Sequence, residues 1–384
     1  MFGDEIRELR EQNLLRQVKV FESSDGRVGR IGGKDYLIFC SNDYLGLSHS
    51  REIKDAIHKG LEEYGAGSGA SRLVSGTLTP HRMLEERLRD YLGFESALLF
   101  NSGYAANTGI IPSIAGKGDV ILGDRLNHAS IVDGCLLSRA EFKRYPHLDM
   151  SVLEKLLLEY KNAKTRWIVT DGLFSMDGDI APLAEICQLA DKYNAKVYLD
   201  DAHAFGILGK NGRGTAELLG VEGGIDIHVG TLGKAAGVAG AFAGGSREMT
   251  DFLMNRARSF IFSTSLPPAL ALGGAKGVEL LSGFSHGREM FLSGVKSFHN
   301  LLGVIGLVAP SNSYIIPLVT EDAGKAVEAE KVFWERNIYL QAIRPPTVPK
   351  GSSRLRLTLS LNQTSEDREK VLGVLKDNQH LFAR

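Results

Sequence analysis

The sequence contains little cysteine. Three residues, Cys40, Cys135 and Cys187, are spread over 384 positions. Their odd number and wide spacing fit neither a disulfide framework nor a zinc-binding motif. Buried thiols in a reducing compartment are the simpler interpretation, so we expect a cytoplasmic protein without a metal site.

An excess of charge and long apolar runs are also missing. The formal net charge is -1, which excludes the strongly basic surface that attracts nucleic acids and anionic membranes. No run of about 18 apolar residues occurs, so we expect no membrane-spanning helix. The opening segment MFGDEIRELREQN is charged throughout and lacks the apolar core of a signal peptide. These absences leave a globular protein without nucleic-acid or membrane partners.

Short apolar runs alternate with amphipathic helices through the middle of the chain. The pattern predicts helices at 104–113, 151–160 and 183–193 and strands at 97–100, 120–122, 167–170, 197–199, 225–229 and 241–243. Because these strands are apolar without alternation, we expect an α/β fold with a mostly parallel central sheet and helices on both faces.

The two ends of the chain have a different pattern. Residues 4–20 are predicted as a helix and 27–39 as a hairpin with a Gly-Gly turn. Strands predicted at 313–319, 338–343 and 354–359, with helices between them, indicate a smaller α+β domain. We therefore predict an N-terminal helix and hairpin segment (1–45), a large α/β domain (46–285) and a small C-terminal α+β domain (286–384).

One lysine lies in an unusual context, the segment IDIHVGTLGKAAG at 225–237. Lys234 follows a predicted strand and is surrounded by glycine and alanine. A lysine that loses its charge by burial becomes a nucleophile for a carbonyl group. An isolated loop lysine is more often solvated, but Thr231 lies three residues earlier, where its hydroxyl could bind a phosphate.

Two further segments carry candidate groups at predicted strand ends. AKVYLDDAHAFG ends in Asp200 and His203, and a buried carboxylate there could keep a pyridinium nitrogen protonated. A metal pair or a loop cap would use the same residue types. ALLFNSGYAANTG forms a strand, a turn and a helix start around residues 102–104, where backbone N–H groups favour an anion.

Several other motifs are absent. The glycine-rich run GAGSGASRLVSG at 65–76 follows a helix and does not match the dinucleotide-binding pattern. No nucleophile elbow, HExxH motif or cluster of Cys and His is present. The lysine and aspartate segments therefore remain the main candidates for catalysis.

Taken together, the motifs resemble one family from about residue 5 to 375, the α-oxoamine synthases of the fold-type I pyridoxal phosphate (PLP) enzymes. They occur in the order SNDYLGLS, GSGASRLVSGT, FNSGYAAN, DRLNHAS, TDGLFSMDGD, DDAHAFG, GTLGKAAG, FSTSLPP and AIRPPTVP with SRLRLTLS. The sequence departs slightly at Ala70 and Ala204, where relatives commonly have glycine.

The resemblance implies a role for each cofactor-binding residue. Lys234 matches the lysine that forms the Schiff base, Asp200 the aspartate at the pyridine nitrogen, His203 the partner of the ring hydroxyl, and His128 the histidine stacked on the ring. These four are the predicted catalytic residues. Further predicted cofactor contacts are Gly103, Tyr104, Thr231 and Ser175, with Ser263 and Thr264 reaching the phosphate from the second subunit of a homodimer.

The resemblance also implies the substrates. Asn42 and Arg354 match the groups that hold the amino-acid carboxylate, while Thr347, Arg16 and His128 match contacts to the substrates. The likeness is greatest to the biotin-pathway member, which joins L-alanine to a pimeloyl thioester, carried on CoA or an acyl carrier protein, and releases carbon dioxide and the thiol. The alternatives are a sister enzyme that uses glycine and another acyl-CoA, a fold-type I aminotransferase, and a catalytically silent binding protein.

Overall fold

The computed structural model describes residues 2–383. Its helices are α1 Phe2–Glu11, α2 Arg51–Tyr64, α3 Thr79–Leu92, α4 Gly103–Ile114, α5 Ala129–Leu137, α6 Met150–Glu159, α7 Leu183–Lys192, α8 Thr215–Leu219, α9 Arg247–Arg256, α10 Arg258–Ile261, α11 Pro268–Ser282, α12 Ser285–Val304, α13 Ala323–Glu335 and α14 Ser365–Asp377. Its strands are β1 Ser23–Ser24, β2 Val28–Ile31, β3 Lys34–Ile38, β4 Ser96–Phe100, β5 Val120–Asp124, β6 Glu141–Tyr145, β7 Arg166–Asp171, β8 Lys196–Asp200, β9 Ile227–Thr231, β10 Ala241–Gly245, β11 Ile315–Val319, β12 Ile338–Tyr339, β13 Ala342–Ile343 and β14 Arg354–Thr358.

Two compact units make up the chain. The larger contains 47–174 and 180–288, and the smaller contains the described residues up to 46, the loop 175–179 and the chain from 289 onward. The sequence prediction treated 1–45 as a separate segment, whereas the structure groups it with the C-terminal part. The reason is pairing: β3 lies parallel to β12, and the N–H of Thr358 donates to the carbonyl of Phe39 at 2.7 Å.

The larger unit is built on a seven-stranded sheet with the order β4-β10-β9-β8-β7-β5-β6. Strand β10 is antiparallel to both of its neighbours, and the other pairs are parallel. The prediction of an α/β fold with a mostly parallel sheet is confirmed. Because β4, β5, β7, β8 and β9 run in the same direction, their carboxyl ends lie along one edge of the sheet.

Side chains alternate between the two faces of this sheet. On β7, Trp167 and Val169 pack against α4, α5, α9 and α10, whereas Ile168 packs against α6 and α7 on the opposite face. Both sets are almost fully buried, as the near-continuous apolar runs predicted. Each fully buried aliphatic side chain contributes roughly 1.5–3 kcal/mol to folding.

The smaller unit contains two further sheets. The hairpin β2–β3 turns at Gly32 and Gly33, both with positive φ, and joins β1 and β12 in a four-stranded sheet. Strands β11, β14 and β13 form a three-stranded antiparallel sheet. Its central strand, β14, carries the arginines of the SRLRLTLS motif.

Two local predictions were wrong. The first helix ends at Glu11 rather than at residue 20, because Asn13 adopts a left-handed conformation (φ 56°) and α1 buries no side chain that would extend it. The segment 338–343, predicted as one strand, forms two short strands, β12 in the four-stranded sheet and β13 in the three-stranded sheet.

Across residues 2–383, none of the helices combines the length and the apolar character that crossing a bilayer would require.

Helix α2 packs closely on α11 at Gly60, and we expect Gly60→Ala to destabilise the protein. A Cβ at this position would lie 2.6 Å from Cα of Ala269, so one helix must shift, at a cost of about 1–3 kcal/mol. The matched control is Gly373→Ala in α14, where a Cβ would meet nothing within 4 Å. There the better helix propensity of alanine should stabilise by up to about 1 kcal/mol. Thermal unfolding midpoints check both; equal midpoints for the two variants would contradict this packing.

Candidate active site

A cavity of about 210 Å³ lies at the carboxyl edge of the seven-stranded sheet. It brings together residues from strand ends β7, β8 and β9 and from the starts of α4 and α5, which the sequence separates by more than a hundred positions. The lining consists of Gly103, Tyr104, His128, Ser130, Asp171, Asp200, Ala202, His203, Thr231 and Lys234.

The two aspartates of the DDAHAFG motif have different functions because successive residues at a strand end point to opposite sides. Asp200 lines the cavity. Asp201 is fully buried and accepts hydrogen bonds from the backbone N–H and the hydroxyl of Thr215, both at 2.7 Å. Asp201 therefore anchors the loop that precedes α8, which leaves Asp200 for chemistry.

A second buried carboxylate lies beside Asp200. Asp171, at the end of β7, is the direct neighbour of Asp200 in the strand register. Burial raises the pKa of Asp171 well above its ordinary value, and the negative charge of Asp200 raises it further. The backbone N–H of His128, which donates to Asp171 at 2.6 Å, and the charge of Lys234 act in the opposite direction. Asp171 therefore holds a proton more readily than an exposed carboxylate would.

His128 is the N-cap of α5, and its ring forms part of the cavity wall. Its Nδ1 lies 2.7 Å from the hydroxyl of Ser130. Desolvation by the surrounding protein lowers the pKa of His128; Asp200 opposes this shift, and Lys234 reinforces it. A neutral imidazole in the cavity wall can stack on a flat ring.

The start of α4 forms a cradle for an anion. Ser102 caps this helix by accepting from the N–H of Ala105 at 3.1 Å. A Cβ at position 103 would lie 2.6 Å from Cγ2 of Thr231, so glycine allows β9 to approach the helix start. The hydroxyl of Thr231 is buried and has no hydrogen-bond partner among the described residues. An orphaned donor beside a helix N-terminus fits a phosphate group.

Lys234 and His203 complete the cavity. Lys234 lies in the turn after β9 and is half-buried, close enough to influence the titration of both His128 and Asp171. His203 is buried, three residues beyond Asp200. The cavity thus combines an amine, a buried carboxylate, a planar imidazole and an anion cradle, which is the set of groups that a phosphorylated, nitrogen-containing ring with a carbonyl would need.

In the smaller unit, Arg356 rather than Arg354 lies beside Asn42. Nη1 of Arg356 donates to Oδ1 of Asn42 at 3.0 Å, and Nη2 donates to the hydroxyl of Tyr44 at 3.3 Å. Arg354 is buried in an ion pair with Asp177, with Nη1 to Oδ1 at 2.6 Å. The structure therefore does not bring together the predicted pair of Asn42 and Arg354.

The segment that contains Arg16 is tied to the AIRPPTVP block by reciprocal hydrogen bonds. Nη2 of Arg16 donates to the carbonyls of Arg344 and Pro345, each at 3.1 Å, and to the hydroxyl of Thr347 at 3.3 Å. Arg344 in turn donates to the carbonyls of Asn13 and Leu15. The two predicted acyl contacts, Arg16 and Thr347, are therefore neighbours, and Arg344 holds the segment in place.

The comparisons with known proteins agree with these features. A family model, aminotransferase class I and II, matches residues 34–375. An 8-amino-7-oxononanoate synthase from Citrifermentans bemidjiense is 48% identical over 378 residues, which cover 98% of this chain and 97% of the relative. The chain belongs to the 8-amino-7-oxononanoate synthase family.

Solved structures extend the comparison. A serine palmitoyltransferase from S. paucimobilis with bound PLP and myriocin has a TM-score of 0.94 and 31% identity, covering 99% of this chain and 97% of that one. An 8-amino-7-oxononanoate synthase from Francisella tularensis has a TM-score of 0.78 and 28% identity, covering 90% and 98%. The fold is thus shared by enzymes of two different names, and the identities of these two structures to this chain, 31% and 28%, do not separate them.

The remaining residues that the sequence predicted for the cofactor site lie at the following positions. Tyr104 is half exposed, and its hydroxyl donates to Asp133. The carbonyl of Ser175 accepts from Nε of Arg356. The carbonyl of Thr264 accepts from Nδ2 of Asn101 at 2.7 Å, and Ser263 is half-buried beside it. Ala70 and Ala204 are absent from the cavity lining.

Sequence reasoning missed four residues. Asp171 and Arg356 lie within the quoted motifs TDGLFSMDGD and SRLRLTLS, and a strand-end aspartate beside Asp200 could have been expected from the parallel order. Asn107 and Ser130 also lie within quoted motifs, at the ends of FNSGYAAN and DRLNHAS, and both are buried beside the catalytic groups; their sequence does not show which side chains they contact.

The orphaned hydroxyl generates a prediction, tested with Thr231→Val. This change should weaken the binding of PLP about tenfold, because one phosphate hydrogen bond is lost. The unfolding midpoint without cofactor should stay the same or rise, because the hydroxyl has no partner in the protein. Fluorescence titration and thermal unfolding measure the two effects.

Thr215→Val is the matched control, since its hydroxyl donates to Asp201 at 2.7 Å. It should lower the unfolding midpoint through the loss of a buried hydrogen bond. Equal midpoints for the two variants, or unchanged PLP affinity in Thr231→Val, would contradict the cradle.

Proposed function

We propose that this chain condenses L-alanine with a pimeloyl thioester to give 8-amino-7-oxononanoate, carbon dioxide and the free thiol, as a PLP-dependent acyltransferase of biotin biosynthesis. The observation that carries the proposal is the cavity that unites Lys234, Asp200, His128 and His203, in a chain 48% identical to an 8-amino-7-oxononanoate synthase over nearly its whole length. We keep the cytoplasmic location and the homodimer as predictions.

The cofactor is pyridoxal 5′-phosphate, and the cavity residues fit it. Gly103, the N–H groups of the α4 start and the orphaned hydroxyl of Thr231 would hold the phosphate. Asp200 would keep the ring nitrogen protonated, and Lys234 would supply the amine for the covalent link. His128 and His203 would contact the ring and its hydroxyl. When bound, this group supplies an electron-accepting ring that stabilises negative charge on the carbon beside the amine of the substrate.

Lys234 also moves a proton. With its Nζ unbound, Lys234 would be the base in the cavity that accepts the Cα proton of alanine and later returns a proton. Its charge lowers the pKa of both His128 and Asp171. His128 donates a hydrogen bond to the thioester oxygen as negative charge develops there.

Asn42 and Arg356 are proposed to hold the carboxylate of alanine, in place of the pair of Asn42 and Arg354. The guanidinium of Arg356 donates to Asn42, which places the two side chains together. A planar guanidinium can bind a carboxylate through two parallel hydrogen bonds. Arg354 is already paired with Asp177.

The acyl thioester is assigned to Arg16 and Thr347. Their mutual hydrogen bond at 3.3 Å defines a polar patch on the smaller unit, and Arg344 maintains it by fixing the backbone at Asn13 and Leu15. Ser263 and Thr264 are proposed to reach the phosphate of the second subunit. The acyl-binding role of Arg16 and Thr347 and the phosphate-binding role of Ser263 and Thr264 are proposals that rest on the family resemblance.

The function is tested by thiol release from pimeloyl-CoA and pimeloyl-acyl carrier protein, each with alanine, glycine or serine, with the aminooxononanoate product identified by mass. We expect turnover with alanine and a pimeloyl donor only. Lys234→Ala should reduce it at least about 10³-fold, because both the covalent link and the base are lost. Lys276→Ala, a surface control in α11, should match wild type. Preferred use of glycine or serine with another acyl-CoA would identify a sister synthase instead, and keto-acid-dependent amino transfer would identify an aminotransferase.

The two arginines of β14 should differ on substitution. Arg356→Lys should raise the KM for alanine about 10–100-fold, because a lysine cannot make the same planar contact. Arg354→Lys should instead lower the midpoint, because it loosens the buried pair with Asp177.

Steady-state kinetics and thermal unfolding separate the two effects. A raised KM for alanine in Arg354→Lys, with normal values in Arg356→Lys, would return the carboxylate role to Arg354.

A further inference from the structure

Asn107 occupies a central position behind the cavity. This residue of α4 is fully buried, and its amide has three partners. Nδ2 lies 2.6 Å from Oδ2 of Asp200 and 2.8 Å from the hydroxyl of Ser130, while Oδ1 lies 2.6 Å from the hydroxyl of Tyr198. The nitrogen of the amide therefore contacts two side chains and its oxygen contacts a third.

The chemistry of these partners fixes the orientation of the amide. An ionised carboxylate can only accept hydrogen bonds, so the NH₂ group must face Asp200. The hydroxyl of Tyr198 then donates to Oδ1, and burial raises the pKa of Tyr198 well above its ordinary value, which keeps that proton in place. The second N–H of Asn107 points to the oxygen of Ser130.

The same logic continues to His128. Because the oxygen of Ser130 accepts from Asn107, its own proton is directed to Nδ1 of His128, 2.7 Å away. The backbone N–H of Ser130 also donates to Nδ1, at 3.3 Å. With two donors at Nδ1, the ring must carry its proton on Nε2.

We propose that Asn107 is a positioning residue with two targets: it orients the Asp200 carboxylate and, through Ser130, fixes His128 with its proton on Nε2. The effect on the reaction rests on the proposed function, because an Nε2–H is the donor that His128 needs when it faces a developing negative charge. The hydrogen-bond relay itself depends only on the residues of the protein.

The relay can be tested without substrate by NMR of protein carrying ¹⁵N-labelled histidine, in the cofactor-free and PLP-loaded forms. The signal of His128 is assigned by its loss in His128→Gln. We expect wild type to show a protonated Nε2 and an unprotonated Nδ1. Ser130→Ala and Asn107→Ala should both shift the ring toward a mixture of tautomers. Tyr198→Phe, which retains both amide donors, should keep the wild-type pattern.

PLP affinity separates the two targets. Asn107→Ala should weaken PLP binding about tenfold, because Asp200 loses a donor that orients it, whereas Ser130→Ala should bind PLP like wild type. In turnover, Ser130→Ala should lower kcat about tenfold with little change in the KM for alanine. Asn107→Asp, which keeps the shape but replaces a donor with a second acceptor, should be worse than alanine in both assays.

The outcomes are distinguishable. A wild-type tautomer pattern in Ser130→Ala would overturn the relay to His128, and equal PLP affinity in Asn107→Ala and wild type would overturn the link to Asp200. Should the Asn107 variants fail to fold, Ser130→Ala still decides the relay, because it removes a single hydroxyl. If the wild-type enzyme shows no synthase activity, but Ser130→Ala still changes the tautomer of His128, the proposed function is wrong and the relay is supported.

Discussion

The active site depends on the burial of two carboxylates side by side. Parallel pairing of β7 and β8 places Asp171 and Asp200 in direct register at the sheet edge, and neither can be left uncompensated in such a position. The compensation comes from the N–H of His128, the N–H of Ala202 at 3.0 Å, the amide of Asn107 and the charge of Lys234. Several groups that are proposed to act in catalysis therefore also stabilise the two buried carboxylates.

This constraint explains which parts of the site could be predicted from sequence. Lys234, Asp200 and His203 lie in short motifs at strand ends, and parallel strands bring their carboxyl ends to one edge, so a pattern of strands suffices to bring them together. Asn107 could not be found in this way. Its role depends on the amide facing Asp200 across two packed elements, which is a property of tertiary contacts and leaves no periodic signal.

The arginines of β14 show a second limit of sequence reasoning. Arg354 and Arg356 are two residues apart and therefore share a face of the strand, so spacing cannot distinguish them. The difference comes from the loop 175–179, where Gly178 has φ 74° and approaches the carbonyl of Ile315 so closely that a Cβ would lie 2.1 Å from it. That loop presents Asp177 to Arg354 and leaves Arg356 beside Asn42.

The fold as a whole was easier to predict from the sequence than these contacts, because continuous apolar strands and amphipathic helices are strong patterns. The end of α1 was hard to predict, because α1 buries no side chain.

The orphaned hydroxyl of Thr231 has a consequence for the life of the protein in the cell. A buried donor without a partner costs about 1–3 kcal/mol, and the folded chain carries that cost until an anion fills the cradle. Cofactor binding then adds about 2.7 kcal/mol of stability when the free concentration is a hundred times the dissociation constant. The abundance of this enzyme should therefore follow vitamin B6 supply, with newly made chains more exposed to proteases when the vitamin is scarce.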